Sequence, residues 1–188
     1  NSVIYFLPQV FIKGFGFPEN HAIWVSVGIG VVNFAATIVA TLIMDRFPRK
    51  KLLVFGSVVM TVSLAALAIL NFTGDVSTLA VPTMVLIAGY ILGFALSWGP
   101  IAWVLIGEIF PLSVRGIGSS FGSAANWLGN FVVSQFFLML LAAFGNNVGG
   151  PFAIFGVFSA LSIPFVLHFV PETKGKSLER IEEEMVRR

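Results

Sequence analysis

Residues 116–171 read GIGSSFGSAANWLGNFVVSQFFLMLLAAFGNNVGGPFAIFGVFSALSIPFVLHFVP, 56 positions without Asp, Glu, Lys or Arg. A helix of about 20 apolar residues crosses the hydrocarbon core of a bilayer. The run is too long for one crossing and long enough for two. Gly145-Asn146-Asn147-Val148-Gly149-Gly150 in its middle is a turn signal. Two spanning helices joined there are predicted. Three more uncharged runs precede it: residues 20–44 (25 positions), 52–74 (23) and 76–107 (32). Each holds one span, the last of them long and tilted. Residues 1–12 are apolar but too short to cross, and are expected to be the end of a further span. The reading is an all-α membrane protein with five complete spans and one partial span.

Composition agrees. Of the 188 residues, 57% are hydrophobic and 11% charged, and mean hydropathy is +0.94. Soluble domains carry about 25% charged residues. A soluble domain of this size could not hide so much apolar surface, and the same figures exclude disorder. There is no cysteine, so disulfides, thiolate metal sites and a cysteine nucleophile are excluded. Net charge is +2, which gives no footing for nucleic acid. No signal peptide is visible.

The charges orient the chain. Arg46, Arg49, Lys50 and Lys51 follow the first complete span, Arg115 follows the third, and Lys174, Lys176, Arg180, Arg187 and Arg188 follow the fifth. These are alternate loops, so all ten lie on one side, against Lys13 on the other. Lys and Arg in short loops mark the cytoplasmic side, which places the C-terminus in the cytoplasm of a multi-pass cell-membrane protein. Behind Ser177, a helix N-cap candidate, Leu178, Ile181 and Met185 recur at helical spacing. Residues 171–188 are expected to form a cytoplasmic amphipathic tail helix below a bundle of residues 1–170.

Polar side chains inside the spans are few and uncharged. Asn33 lies mid-span with Thr37 one turn on. Asn126 and Asn130 share a helix face, with Trp127 beside the first and Gln135 deeper in the same span. Ser97, Trp98 and Trp103 flank Gly99-Pro100, and Asn1 opens the partial segment. Polar groups in lipid face a bundle interior or a wet cavity. Amides give hydroxyls both donor and acceptor, and an indole offers an apolar face and one N–H. That chemistry suits a sugar, and it equally suits amides that bridge one helix to another. Gly99-Pro100 permits a helix break. Gly89-x3-Gly93 and Gly118-x3-Gly122 permit close helix contact. Trp24 begins its span as an interfacial anchor. His21 and His168 have no carboxylate partner in sequence, so no catalytic constellation, cofactor or metal is expected and the chain is not read as an enzyme.

The loops then carry a family resemblance. Asp45-Arg46-Phe47-Pro48-Arg49-Lys50 resembles the D-R-x-G-R-[RK] loop of the major facilitator superfamily, with Pro48 where the motif has glycine. Gly99-Pro100-Ile101-Ala102-Trp103, Glu108-Ile109-Phe110-Pro111 and Arg115-Gly116 resemble the G-P-x-x-W, E-x-F-P and R-G signature of its sugar porter family. Pro171-Glu172-Thr173-Lys174-Gly175 is similar to that family's P-E-T-K-G, and Asn1-Ser2-Val3-Ile4-Tyr5-Phe6 to its N-x-x-x-Y-Y segment. The match covers the whole chain in order.

The resemblance implies the C-terminal helical bundle of the major facilitator fold, from a partial seventh helix to the twelfth. It implies that Asn1, Asn33, Trp98, Trp103, Asn126, Trp127 and Asn130 bind the substrate. It implies that Asp45, Arg49, Glu108 and Arg115 form a cytoplasmic gate, with Asp45 against a helix N-terminus. The implied activity is transport of a monosaccharide, hexose or pentose, by alternating access. A polyol or cyclitol carrier and a non-transporting sugar sensor are the alternatives. The implied partners are the sugar, the lipid bilayer, the N-terminal half of the same transporter and, in symporting members, a proton. The protein is accordingly expected to continue upstream of Asn1, and this half alone is not expected to transport.

Overall fold

The computed structural model describes residues 2–73 and 80–176. Of the tail helix expected at 171–188, residues 171–176 are described and form irregular chain and a turn rather than helix; residues 177–188 and Asn1 lie outside the described residues. Among those described, the chain is helical with no strand. Two short pieces come first, α1 (Ser2–Tyr5) and α2 (Leu7–Gln9), followed by a π-helical turn (Val10–Gly14). The long helices are α3 (Glu19–Ile43), α4 (Arg49–Thr73), α5 (Ala80–Ala95), α6 (Trp98–Glu108), α7 (Arg115–Ala143) and α8 (Gly149–Phe169). Taken together, α5 and α6 make one 29-residue crossing, so among the described residues five stretches are long and apolar enough to span a membrane. This is the number read from the uncharged runs.

Proline marks two of the helix breaks, at Pro8 and Pro100, while Pro164 lies inside the unbroken α8. Pro8 lacks the N–H that would bond to the Ile4 carbonyl, and its ring crowds that carbonyl. The chain accordingly parts at Phe6, between α1 and α2. Even so, the first segment is no loose end, because Val3, Leu7, Val10 and Phe11 are all buried. The Phe6 ring stacks on Phe137 of α7 at 4.6 Å between centroids. Pro100 acts the same way on the Leu96 carbonyl, four residues upstream. The break therefore falls at Leu96–Ser97 rather than at Gly99-Pro100, and Ser97 leaves the helical region at φ −137°, ψ −89°.

The core is organised on α4, which packs against α8 on one side and α5 on the other. The crossing with α5 requires glycine. A Cβ on Gly56 would fall 1.7 Å from Ser97 Oγ and 2.8 Å from the Gly93 carbonyl oxygen. Both small-residue pairs turn out to be packing devices. Gly93 faces Val59 of α4, and Gly118 and Gly122 face Phe110 and Ile106. The predicted turn forms at 145–148, with Gly145 and Asn146 at positive φ. Asn147 joins two helix ends there: its Oδ1 accepts from Gly149 N–H (2.7 Å), and its Nδ2 donates to the Asn71 carbonyl at the end of α4 (2.8 Å).

The opposite end of the bundle gathers the basic loops. Glu172, just past α8, accepts from the backbone N–H groups of Arg49 (2.9 Å) and Lys50 (3.1 Å). It therefore caps the N-terminus of α4, where unsatisfied N–H groups and the helix dipole favour an anion. Lys50 Nζ returns the contact by donating to the Leu167 carbonyl in the last turn of α8 (2.7 Å). Lys174 Nζ donates to the Arg46 carbonyl.

Candidate functional site

An open-sided cavity of about 550 Å³ lies between α5, α6, α7 and α8, with α4 as its floor. Asn126 and Asn130 line it from α7. Their spacing of four places both amides on one helix face, and Asn130 Nδ2 donates to the Asn126 carbonyl and to Asn126 Oδ1 (both 3.1 Å). Trp98 lines it from α6, Tyr90 and Phe94 from α5, and Phe158, Ser159 and Ser162 from α8. Among the described residues that line it, no side chain is charged.

A chain of hydroxyl groups fixes Trp98. Its Nε1–H donates to Ser57 Oγ of α4 (2.8 Å), and Ser57 is fully buried. The Ser57 and Ser162 hydroxyls lie 2.8 Å apart, while Ser162 also donates to the Ser159 carbonyl (2.6 Å). A hydroxyl carries one proton. With the Ser162 proton given to Ser159, the Ser57 proton serves the bond to Ser162. Thr61 donates to the Ser57 carbonyl (2.7 Å) and lies 3.1 Å from Ser159 Oγ. These groups tie α4, α6 and α8 together behind the indole.

The cavity brings together part of the expected set. Trp98, Asn126 and Asn130 line it, whereas Asn33, Trp103 and Trp127 do not. Helix geometry gives the reason. Residue 127 is turned about 100° from residue 126, and residue 103 about 140° from residue 98, at 3.6 residues per turn. Trp127 is 63% and Trp103 47% exposed on other faces of their helices. Asn33 is half-buried on α3, which packs on α5 outside the cavity wall. The hydroxyl cluster and Tyr90 are additions to which no sequence motif points. The spacings Ser57-x3-Thr61 and Ser159-x2-Ser162 are the only signals the sequence offers for the cluster.

At the basic end, three of the four expected gate residues meet. Arg49 is 9% exposed. Its Nη2 donates to Asp45 Oδ1 (3.2 Å) and stands 4.0 Å from Glu108 Oε1, and its Nη1 donates to the Met44 carbonyl (3.1 Å). At 4.0 Å the Glu108 contact is electrostatic rather than a hydrogen bond. Arg49 Nε and Glu108 Oε2 are buried without a hydrogen-bond partner among the described residues. Arg115 instead donates from Nε and Nη2 to the Phe110 carbonyl of its own loop (both 3.3 Å). The N-terminus of α4 takes Glu172, and Asp45 serves the Arg49 side chain.

The sequence pattern that defines the "Sugar (and other) transporter" family matches residues 1–185. The chain belongs to that family. Among relatives, it is 41% identical over 183 residues to a D-xylose transporter of Levilactobacillus brevis, covering 97% of this chain and 39% of that protein. It is 39% identical over 185 residues to the glucose transporter GlcP of Staphylococcus epidermidis, covering 98% of this chain and 41% of the relative. Among solved structures, it superposes with a TM-score of 0.86 on the major facilitator superfamily proton:xylose symporter XylE bound to 6-bromo-6-deoxy-D-glucose. Identity there is 35%, over 98% of this chain and 39% of that one. The chain thus spans about two fifths of the length of the sugar porters it matches, and its helices follow the major facilitator fold.

Proposed function

We propose that the whole protein carries a monosaccharide, a hexose or a pentose, across the membrane by alternating access, and that this chain supplies one wall of the site. The observation that carries the reading is the uncharged cavity, in which amides and an indole meet aromatic rings inside a membrane bundle. Such groups bind hydroxyls and the C–H face of a sugar without the cost of burying charge. Two of the relatives above are named for D-xylose and glucose. Transport follows when this half rocks against its counterpart around the site.

The cytoplasmic orientation of the basic end is part of the same proposal. It is supported by the ten-to-one split of basic residues and by the way Glu172, Arg49 and Glu108 hold three of those loops together. A proton is proposed to accompany the sugar, as in the xylose symporter. Carboxylates of the described spans stand only at the span ends, at Glu19 and Glu108. The proton is therefore proposed to travel on a group outside the described residues.

The test is radiolabelled xylose and glucose uptake by the whole protein in proteoliposomes. Saturable uptake is expected. Asn126→Ala should reduce uptake at low sugar by about 5- to 150-fold, the factor that follows when a buried polar group is left without its hydrogen bond. Absence of saturable uptake of any hexose or pentose would refute the proposal.

A further inference from the structure

Two polar groups in the cavity wall are uncommitted. The Tyr90 hydroxyl and Asn126 Nδ2 have no hydrogen-bond partner among the described residues. For the amide, Asn130 occupies the Asn126 oxygen and leaves the nitrogen with two protons to give. The phenol differs from other hydroxyls of this bundle. Ser26, Thr37 and Thr61 each donate to the carbonyl four residues back, the usual refuge of a short hydroxyl in a helix. A phenol stands at the end of a rigid ring and cannot fold back onto its own helix. A buried Tyr O–H ordinarily finds a partner elsewhere, and Tyr90 faces the cavity.

Both groups belong to the same cavity, one on α5 and one on α7, with Phe94 one turn beyond Tyr90 and Phe158 on α8. The phenol both donates and accepts, and the amide nitrogen donates twice. The rings are flat and apolar. A ligand that satisfies all of them carries several hydroxyls on one edge and C–H groups on its face, and it is uncharged. We propose that Tyr90 is a specificity-determining contact for one hydroxyl of the carried sugar, acting with the Asn126 amide nitrogen. This inference rests on the transport reading above.

The test uses the whole protein in proteoliposomes, with Tyr90→Phe, which removes the hydroxyl and keeps the ring. Uptake is measured for the parent sugar and for each of its monodeoxy analogues. Tyr90→Phe should raise KM for the parent about 2- to 13-fold, the range for one hydrogen bond, with kcat little changed. For one deoxy analogue the wild type and Tyr90→Phe should become equal, because that analogue already lacks the contacted hydroxyl. Sugar-induced protection against thermal unfolding should weaken in Tyr90→Phe by a matching factor, a binding readout independent of flux. An unchanged parent KM, or the same loss for every analogue, overturns the assignment. Asn126→Ala separates the two levels. If it impairs uptake while Tyr90→Phe does not, the Tyr90 contact fails and the transport reading stands. If the wild type shows no saturable uptake, both fail.

Discussion

Removing the Glu172 carboxylate should unfasten the basic end of the bundle. The carboxylate accepts from two first-turn N–H groups of α4, at 2.9 and 3.1 Å, and from Lys174 N–H at 3.1 Å. Loss of an N-cap costs typically about 1 kcal/mol and up to about 2. The favourable charge at a helix N-terminus adds about 0.3–1 kcal/mol. Both α4 donors are at the polar end, so water replaces part of what is removed. The terms add to roughly 1.3–3 kcal/mol for Glu172→Ala, and with that offset the loss should fall in the lower half of this range. Glu172→Gln keeps one acceptor oxygen and loses the charge, so it should cost about a third to a half as much. Thermal unfolding of the purified whole protein, followed by tryptophan fluorescence, gives the order. Lys51→Ala is the control, an exposed neighbour in the same turn, expected within about 0.5 kcal/mol of wild type. If Glu172→Ala unfolds no earlier than Lys51→Ala, the α4 N–H groups are served by water and the carboxylate is no cap.

Gly56→Ala should be among the most damaging single-methyl additions in α4. Its Cβ meets Ser97 Oγ at 1.7 Å and a backbone carbonyl at 2.8 Å, and overpacking of this kind costs about 1–3 kcal/mol or more. Ser97→Gly in the same chain should recover only part of the loss in thermal unfolding, because the Gly93 carbonyl remains; wild-type stability in the single variant would mean a looser crossing. Glu108→Gln removes the 4.0 Å ion pair with Arg49 and should open the basic end in the whole protein. Both side chains are largely shielded from water, and a buried group left unsatisfied costs about 1–3 kcal/mol, so labelling of a cysteine placed in the 109–114 loop of this cysteine-free chain should rise by at least about fivefold. Unchanged labelling would leave the pair a purely structural role.

The number of spans is legible because charge is excluded from lipid at every position, so a gap count suffices. The position of the α5–α6 break is only half legible. Gly99-Pro100 announces it, but a proline acts on the carbonyl four residues back, and the chain turns at Ser97. The cavity is legible where spacing is the guide and illegible where adjacency is. Asn126 and Asn130 share a face at a spacing of four, and both line the cavity. Trp127 is next to Asn126 in sequence, but neighbours on a helix point apart. The cap of α4 leaves no local trace, because the anion arrives from residue 172, more than a hundred positions downstream. Tyr90 carries no sequence signal of its own, and the Ser57 cluster only the spacings Ser57-x3-Thr61 and Ser159-x2-Ser162. Hydroxyl groups in spans are usually content with their own helix, and only the packing reveals which are not.

The tethers at the two ends of the bundle share one property. Arg49, Lys50, Lys174, Arg115 and Asn147 all reach for carbonyl oxygens, those of Met44, Leu167, Arg46, Phe110 and Asn71, and Glu172 grips backbone N–H groups. Every residue type presents that carbonyl, and every type but proline presents that N–H. Half of each tether is therefore immune to mutation of its own side chain. Drift at positions 44, 46, 71, 110 and 167 leaves the acceptors in place, while Glu172, Lys50, Lys174 and Asn147 must be retained. A library that randomises the acceptor positions other than Phe110, whose ring packs on Gly118, sorted for folded protein at the cell surface, should tolerate broad substitution there and little at the donors.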